Sequence, residues 1–222
     1  MKTKVYTADT SSLSDGVLFS YYYGRMSAER REKIDRVRLD EDKRLSLGVG
    51  ILLDIAADEC GVRDKTISLS ENGKPFFMYS PDVFFSLSHS GERVMCVVSD
   101  APVGCDTEMI DKCNYRLAKR FYSPAEREYV LSFDGDIARK TAFCRIWTLK
   151  ESYVKMLGTG FILPFTDFSI DVSKEKVSVE CASHDTDCSF TEPESDGIYY
   201  YSLCKKGKSA ETEIIRKNFK EI

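Results

Sequence analysis

Long apolar runs are absent from this chain, and so are most of the residue types that announce metal or nucleophile chemistry. The longest apolar stretch, around Val49–Leu53, falls far short of the ~20 residues that a membrane-spanning helix needs. The sequence therefore predicts no transmembrane segment and no membrane partner. Only two histidines occur, His89 and His184, and the eight cysteines include no Cys-x-x-Cys pair, which argues against a zinc site. Cys60, Cys96, Cys105, Cys113, Cys144, Cys181, Cys188 and Cys204 sit mostly within apolar runs. They are expected to be small core residues or free thiols, without a disulfide framework. Basic charge is not in excess either: the formal net charge of -4 excludes a general nucleic-acid binder, which needs a basic surface for phosphate contacts. The opening MKTKVYTADTSSLSDG lacks the apolar core of a signal peptide, so the expected location is the cytoplasm.

What is present is an ordinary globular composition, with 222 residues, 42% hydrophobic and 31% charged. That is room for one large domain or two small ones packed together. Between Arg25 and Arg44 stand eight basic residues (Arg25, Arg30, Arg31, Lys33, Arg36, Arg38, Lys43 and Arg44) against six acidic ones. The stretch reads either as a solvated helix laced with ion pairs or as a phosphate-binding face.

Taken in order, the chain predicts a short strand at Val5–Ala8 and a helix over Ser27–Arg38. A longer helix over Glu41–Cys60 is ended by Gly61, and a strand follows at Thr66–Ser70. Glu71-Asn72-Gly73-Lys74-Pro75 is a turn, because Asn-Gly supplies positive φ and proline blocks continuation. Val83–Ser88 and Val94–Ser99 read as a hairpin. In the strand Val103–Met109 alternation puts Gly104, Asp106 and Glu108 on one face, with open space expected beside the glycine. Ser123-Pro124-Ala125-Glu126 has the form of a capping box. Beyond Pro164 come the strand-like runs Phe168–Val172, Val177–Cys181 and Ile198–Cys204, and no chemical motif appears after Gly160. Helices followed by strands occur twice, which hints at two similar halves meeting near Asp106.

The stretch Ala142–Gly160, AFCRIWTLKESYVKMLGTG, has apolar residues at spacings of three and four and is stopped by glycines. It places Glu151 and Lys155 one helical turn apart, next to Lys150 and the only tryptophan, Trp147. The pair reads either as an acid and a base for phosphate chemistry or as a common helix-surface ion pair. Asp106, Glu108 and Glu151 form a suitable carboxylate set for Mg²⁺ if the helix packs on the strand, or are solvated groups if it does not. Ser86-Leu87-Ser88-His89-Ser90-Gly91 clusters donors that could converge on an anion, or is a serine-rich hairpin turn.

Gly73-Lys74-Pro75, Phe85–Gly91, Pro102-Val103-Gly104-Cys105-Asp106-Thr107-Glu108 and Trp147-Thr148-Leu149-Lys150-Glu151-Ser152-Tyr153-Val154-Lys155 occur in that order. The combination resembles the 4′-phosphopantetheinyl transferases, specifically the larger, pseudo-dimeric class that serves peptide and polyketide synthetases in secondary metabolism. The resemblance implies an α/β (α+β) fold of helices packed on antiparallel sheets. It implies two pseudo-twofold subdomains, 1–105 and 106–222, with coenzyme A in the cleft between them and a monomeric chain. It also implies transfer of 4′-phosphopantetheine from coenzyme A to a serine of an apo acyl or peptidyl carrier protein, releasing adenosine 3′,5′-bisphosphate. By position, Asp106, Glu108 and Glu151 would be the Mg²⁺ ligands, Glu151 the base and Lys155 a phosphate contact. Ser88 and His89 would bind the coenzyme, Lys74 and Lys150 would lie near phosphates or adenine, and Arg30, Lys33 and Arg44 would supply further basic contacts. Two other functions compete: a Mg²⁺-dependent nucleotide phosphohydrolase, and a catalytically silent module that binds a carrier or coenzyme A.

Overall fold

A computed structural model of the chain describes residues 2–208 and 211–222. It begins with β1 (Thr3–Asp9) and the helices α1 (Gly16–Arg25), α2 (Ala28–Arg36) and α3 (Asp40–Glu59). Ser27 accepts the Arg30 N–H and caps α2, while Gly61, at φ 72°, turns the chain out of α3. A hairpin of β2 (Ile67–Leu69) and β3 (Pro75–Phe77) precedes β4 (Phe84–Ser90), β5 (Arg93–Ser99) and β6 (Val103–Met109). Then come α4 (Ala118–Phe121), α5 (Pro124–Leu131) and α6 (Asp136–Leu157), with the capping box of Ser123 and Glu126 fully formed at the start of α5. The strands β7 (Phe168–Asp171), β8 (Ser178–Cys181), β9 (Cys188–Thr191), β10 (Tyr199–Lys206) and β11 (Thr212–Lys217) complete the order. The sequence reading has no counterpart for α1. Its apolar residues Val17, Leu18, Phe19, Tyr21, Tyr22 and Tyr23 run round the cylinder instead of forming a stripe, and only Tyr22 is buried.

Two sheets carry the fold. The first has the order β11-β1-β5-β4, antiparallel except for the parallel β1/β11 pair. The second, β6-β10-β9, is antiparallel throughout. On the first sheet α3 buries Leu47, Leu52 and Ala56 against Val94, Cys96 and Val98 of β5. On the second α6 buries Phe143, Ile146, Leu149 and Tyr153. A third cluster joins Val5, Met95 and Val97 of the first sheet to Val103, Cys105 and Leu203 of the second. The architecture is the expected α+β arrangement of helices on largely antiparallel sheets. The last strand returns to the first sheet, and Phe219 beyond it is fully buried in that core. No helix among the described residues is long and apolar enough to cross a membrane.

One expectation about the cysteines is overturned. Cys113 and Cys144 form a disulfide, with Cα atoms 6.2 Å apart, while Cys60, Cys96, Cys105, Cys181, Cys188 and Cys204 are free thiols. The bonded pair is 31 residues apart in sequence, a spacing without a signal of its own. It forms because α6 packs over the segment that follows β6.

Candidate active site

The site begins with a glycine. On β6, Gly104, Asp106 and Glu108 face α6, as alternation predicts, but the space beside Gly104 is not open. A Cβ there would run into the Ser152 carbonyl oxygen and the Met156 nitrogen, so the helix backbone itself fills it. This close approach brings the side chain of Lys155 onto the strand. Its Nζ lies 2.7 Å from Asp106 Oδ1, 3.1 Å from the Cys105 carbonyl and 3.3 Å from Ser88 Oγ.

β4 and β6 are edge strands of different sheets, and serine side chains join them. Ser86 Oγ accepts the Cys105 N–H, Ser88 Oγ that of Thr107 and Ser90 Oγ that of Met109, at 3.0, 3.3 and 3.1 Å. Ser88 and Ser90 also donate to Asp106 Oδ1 and Glu108 Oε2, each at 2.7 Å. The serines that read either as donors for an anion or as a hairpin turn thus hold two sheets and two carboxylates in register. A period of two over Ser86, Ser88 and Ser90 on a strand is the signal that carries this, since it puts all three hydroxyls on one side.

Electrostatically the site is crowded with negative charge. Burial and the neighbouring Asp106 push Glu108 up to about 7, against the Ser90 hydrogen bond and Lys155. Burial and Asp106 also raise Glu151, offset in part by Lys155. Burial opposes the charge on Lys155, but Asp106, Cys105 and Glu151 together hold its ammonium up to about 12, so it stays protonated. His89 is held below its usual value by desolvation and by Lys155, with Asp42 and Asp106 pulling the other way. Among the described residues no three His, Cys, Asp or Glu side chains are gathered closely enough to hold a metal ion as they stand. Asp106 Oδ2, however, is buried and has no hydrogen-bond partner.

The remaining predicted residues part company. Lys150 is fully buried and does not reach the cleft: its Nζ sits 2.9 Å from Glu126 Oε1 and donates to the Phe165 and Phe168 carbonyls at 2.7 Å each. A saturated ammonium in the core cannot contact a coenzyme phosphate, which corrects the expectation for this residue. Glu126, legible in the sequence only as a capping residue, is its partner. Lys74 donates to the Val103 and Met156 carbonyls at 3.0 Å each, closing the end of α6 onto β6. Burial lowers its ammonium to about 8. Arg30 and Arg44 are half-buried and Lys33 is exposed. The side chain of Arg30 lies along α3, where a Cβ on Gly50 would meet its Cδ at 3.2 Å.

Glu151, Lys155 and Lys74 line a cavity of about 660 Å³ between segments 72–87 and 120–166, walled by Phe121, Trp147 and Phe165. Trp147 stacks on Phe143 and meets Phe121 and Phe165 edge-on, with ring centroids 5.7, 5.7 and 5.1 Å away. Phe121 and Phe165 as cavity walls are not legible in the sequence, because they come from short segments with no period. Hard carboxylate oxygens, a permanent ammonium and an adjoining apolar pocket suit the binding and displacement of a phosphate ester that carries an organic arm.

Comparison with known proteins agrees with this chemistry. A model of the 4′-phosphopantetheinyl transferase superfamily matches residues 102–204. A 4′-phosphopantetheinyl transferase of Bacillus subtilis is 33% identical over 183 residues, 81% of each chain. The 4′-phosphopantetheinyl transferase Sfp of Bacillus subtilis (strain 168) is 30% identical over 201 residues, 89% of each chain. A solved holo-[acyl-carrier-protein] synthase of Thermotoga maritima shares 22% identity over 49% of this chain and 64% of its own, with a TM-score of 0.41. Because the likeness to Sfp and its relatives runs over most of both chains, this chain belongs to the 4′-phosphopantetheinyl transferase family, as a transferase of the Sfp type.

Proposed function

We propose that the protein transfers the 4′-phosphopantetheine arm of coenzyme A to a serine hydroxyl of an apo acyl or peptidyl carrier protein, releasing adenosine 3′,5′-bisphosphate. The observation that carries this reading is the meeting of Lys155 and Asp106 at 2.7 Å, with Lys155 and Glu151 both lining a cavity. It brings the motifs of β6 and α6 into one site. Curated relatives bear the transferase name, and neither the phosphohydrolase nor the silent-module reading has comparable support.

The residues present fit a small divalent cation. All donors are hard carboxylate oxygens, one of them, Asp106 Oδ2, is buried and unpartnered, and crowding raises the Glu108 and Glu151 carboxyls. Asp106, Glu108 and Glu151 would hold Mg²⁺, which when bound supplies positive charge to the coenzyme pyrophosphate. Glu151 takes the proton from the carrier serine. The serine oxygen then forms its bond to the pantetheine-bearing phosphorus, and the P–O bond to the adenosine bisphosphate breaks. Lys155, protonated throughout, faces the charge that builds on the leaving group.

Ser88 and His89, with Lys74, Arg30, Lys33 and Arg44, are the proposed coenzyme contacts. The halves 1–105 and 106–222 are taken as similar subdomains with the coenzyme between them. A cytoplasmic monomer acting in secondary metabolism completes the reading.

The test is the intact mass of an apo carrier protein after incubation with this protein, coenzyme A and Mg²⁺, with Asp106→Ala as control. A gain of one phosphopantetheine, lost in the control, supports both the transfer and the acidic site. No gain across carriers of several classes sinks the transferase reading.

A further inference from the structure

The acidic strand and the cavity wall are joined to α6 by a bond that the reading above does not use. As the chain runs from Gly104 through β6 to Cys113, its partner on α6 steps back along the helix. Gly104 lies against Ser152 and Met156, Asp106 pairs with Lys155, and Cys113 is bonded to Cys144. Cys144, Glu151 and Lys155 follow one another at close to two turns and one turn, so they form a single stripe of α6. Glu108 and Glu151 therefore stand between an ion pair at one end of the contact and a covalent bond at the other.

The same bond anchors the approach to the cavity. Between β6 and α4 the chain makes two short 3-10 turns, Ile110–Lys112 and Tyr115–Leu117. Asp111, Lys112, Asn114, Arg116 and Leu117 are exposed, while Cys113 and Tyr115 are half-buried. The Tyr115 ring lies 6.0 Å from the Arg139 guanidinium, a weak contact beside a covalent one. Directly beyond comes α4, which ends in Phe121 on the cavity wall, edge-on to Trp147. A segment that buries so little of itself opens locally once its anchor is released.

The two sulfurs are unequally reachable. Cys144 is fully buried, whereas Cys113 is half-buried in a stretch that carries the exposed cations Lys112 and Arg116. Positive charge draws a thiolate, and access decides which sulfur it attacks.

We propose that Cys113–Cys144 is a thiol-exchange site that switches the candidate active site, with a low-molecular-weight thiol as its reactant. The thiolate attacks Cys113 Sγ, the S–S bond breaks, and the Cys144 sulfur leaves with the electron pair and takes a proton. A second thiolate attacks the outer sulfur of the mixed disulfide and frees Cys113, which is protonated in turn. Two thiols thus become one disulfide, and the chain gains two electrons and two protons. Bonded, the chain keeps Glu108 in register with Glu151 and Phe121 against Trp147. Reduced, it releases residues 111–121. The effect on turnover rests on the transferase reading above, in whose proposed cytoplasm a disulfide is characteristically transient and redox-sensing.

The experiment equilibrates the full-length protein with reduced or oxidised glutathione at a temperature below the melting of both forms. Alkylation and intact mass count the free thiols, six in the bonded chain and all eight cysteines in the reduced one. Reduction should shift the emission of Trp147, the only tryptophan, to the red as Phe121 leaves it. It should also lower kcat/KM for coenzyme A about tenfold in the carrier mass assay, the effect of a modest misplacement. Glutathione disulfide should restore both, and Cys113→Ser should show the reduced emission and rate in either buffer. Four results overturn the switch: a bond that reduced glutathione leaves closed, an open bond with unchanged emission and rate, a reduced chain without native circular dichroism, or a response that persists in Cys113→Ser. If the bonded chain modifies no carrier of any class, the transferase reading fails, and the emission shift by itself still decides whether the wall is released.

Discussion

α3 and α6 are each laid across a sheet, yet only α6 buries polar side chains among its apolar ones. The face of α3 is Leu47, Leu52, Leu53, Ala56 and Ala57, all apolar and nearly or fully sealed. On α6, Thr148, Lys150 and Ser152 are as completely buried as Ile146, Leu149 and Tyr153. Every one of those polar groups has been given acceptors: Thr148 and Ser152 donate to their own helix at the Arg145 and Leu149 carbonyls, and Lys150 has Glu126 and two carbonyls. A disulfide ties the same helix to the chain beyond β6. The apolar half is held by area removed from water, which tolerates small shifts. The half that carries Glu151 and Lys155 is held by directional contacts that do not, because a buried polar group loses heavily when its partner moves.

That contrast can be broken most sharply at the glycines. Gly104→Ala puts a methyl group into the α6 backbone and should destabilise by more than about 4 kcal/mol, read by urea denaturation as loss of the folded baseline. Next comes Lys150→Met, which strands Glu126 as an uncompensated buried charge and should cost about 3–5 kcal/mol. The double change with Glu126→Gln should recover much of that loss in the same measurement. Cys113→Ser, or reduction of the disulfide, releases a loop of 31 residues and should lower stability by about 3–4 kcal/mol on the chain-entropy scale. Equal melting temperatures with and without a reductant would contradict it.

The pH dependence sharpens the same point more gently. Glu108 sits at about 7 in the folded chain, above its ordinary 4.5. Between those values the unfolded chain releases a proton that the folded chain retains, so metal-free stability should fall as pH rises through that window. The effect should be on the order of 1–2 kcal/mol once partial exposure is discounted, and Glu108→Gln should flatten it in denaturation at fixed ionic strength. The smallest effect belongs to the apolar half. Gly48→Ala would bring a Cβ to 2.8 Å from the Thr10 methyl and 3.3 Å from those of Val94. Side chains can yield where backbone cannot, and about 1 kcal/mol is expected. A loss as large as that of Gly104→Ala would end the distinction between the halves.

The amino-acid sequence by itself determined the elements whose causes are local. Period and caps locate α2, α3, α5 and α6, and alternation puts Gly104, Asp106 and Glu108 on one face, because these depend only on neighbours a turn or a pleat away. The motif order pointed to the family for a similar reason: a site built from two elements leaves both in the chain. Only the tertiary structure decided which lysine does what. Lys150 and Lys155 differ by little more than one turn of α6, yet one faces α5 and the core and the other faces β6. It also decided that three serines of β4 bridge two sheets, that β11 closes on β1, that Cys113 meets Cys144 and that Ser202 lies opposite Asp106. Each of these depends on a partner distant in sequence, and a periodic pattern says which side of an element is buried without saying what lies against it.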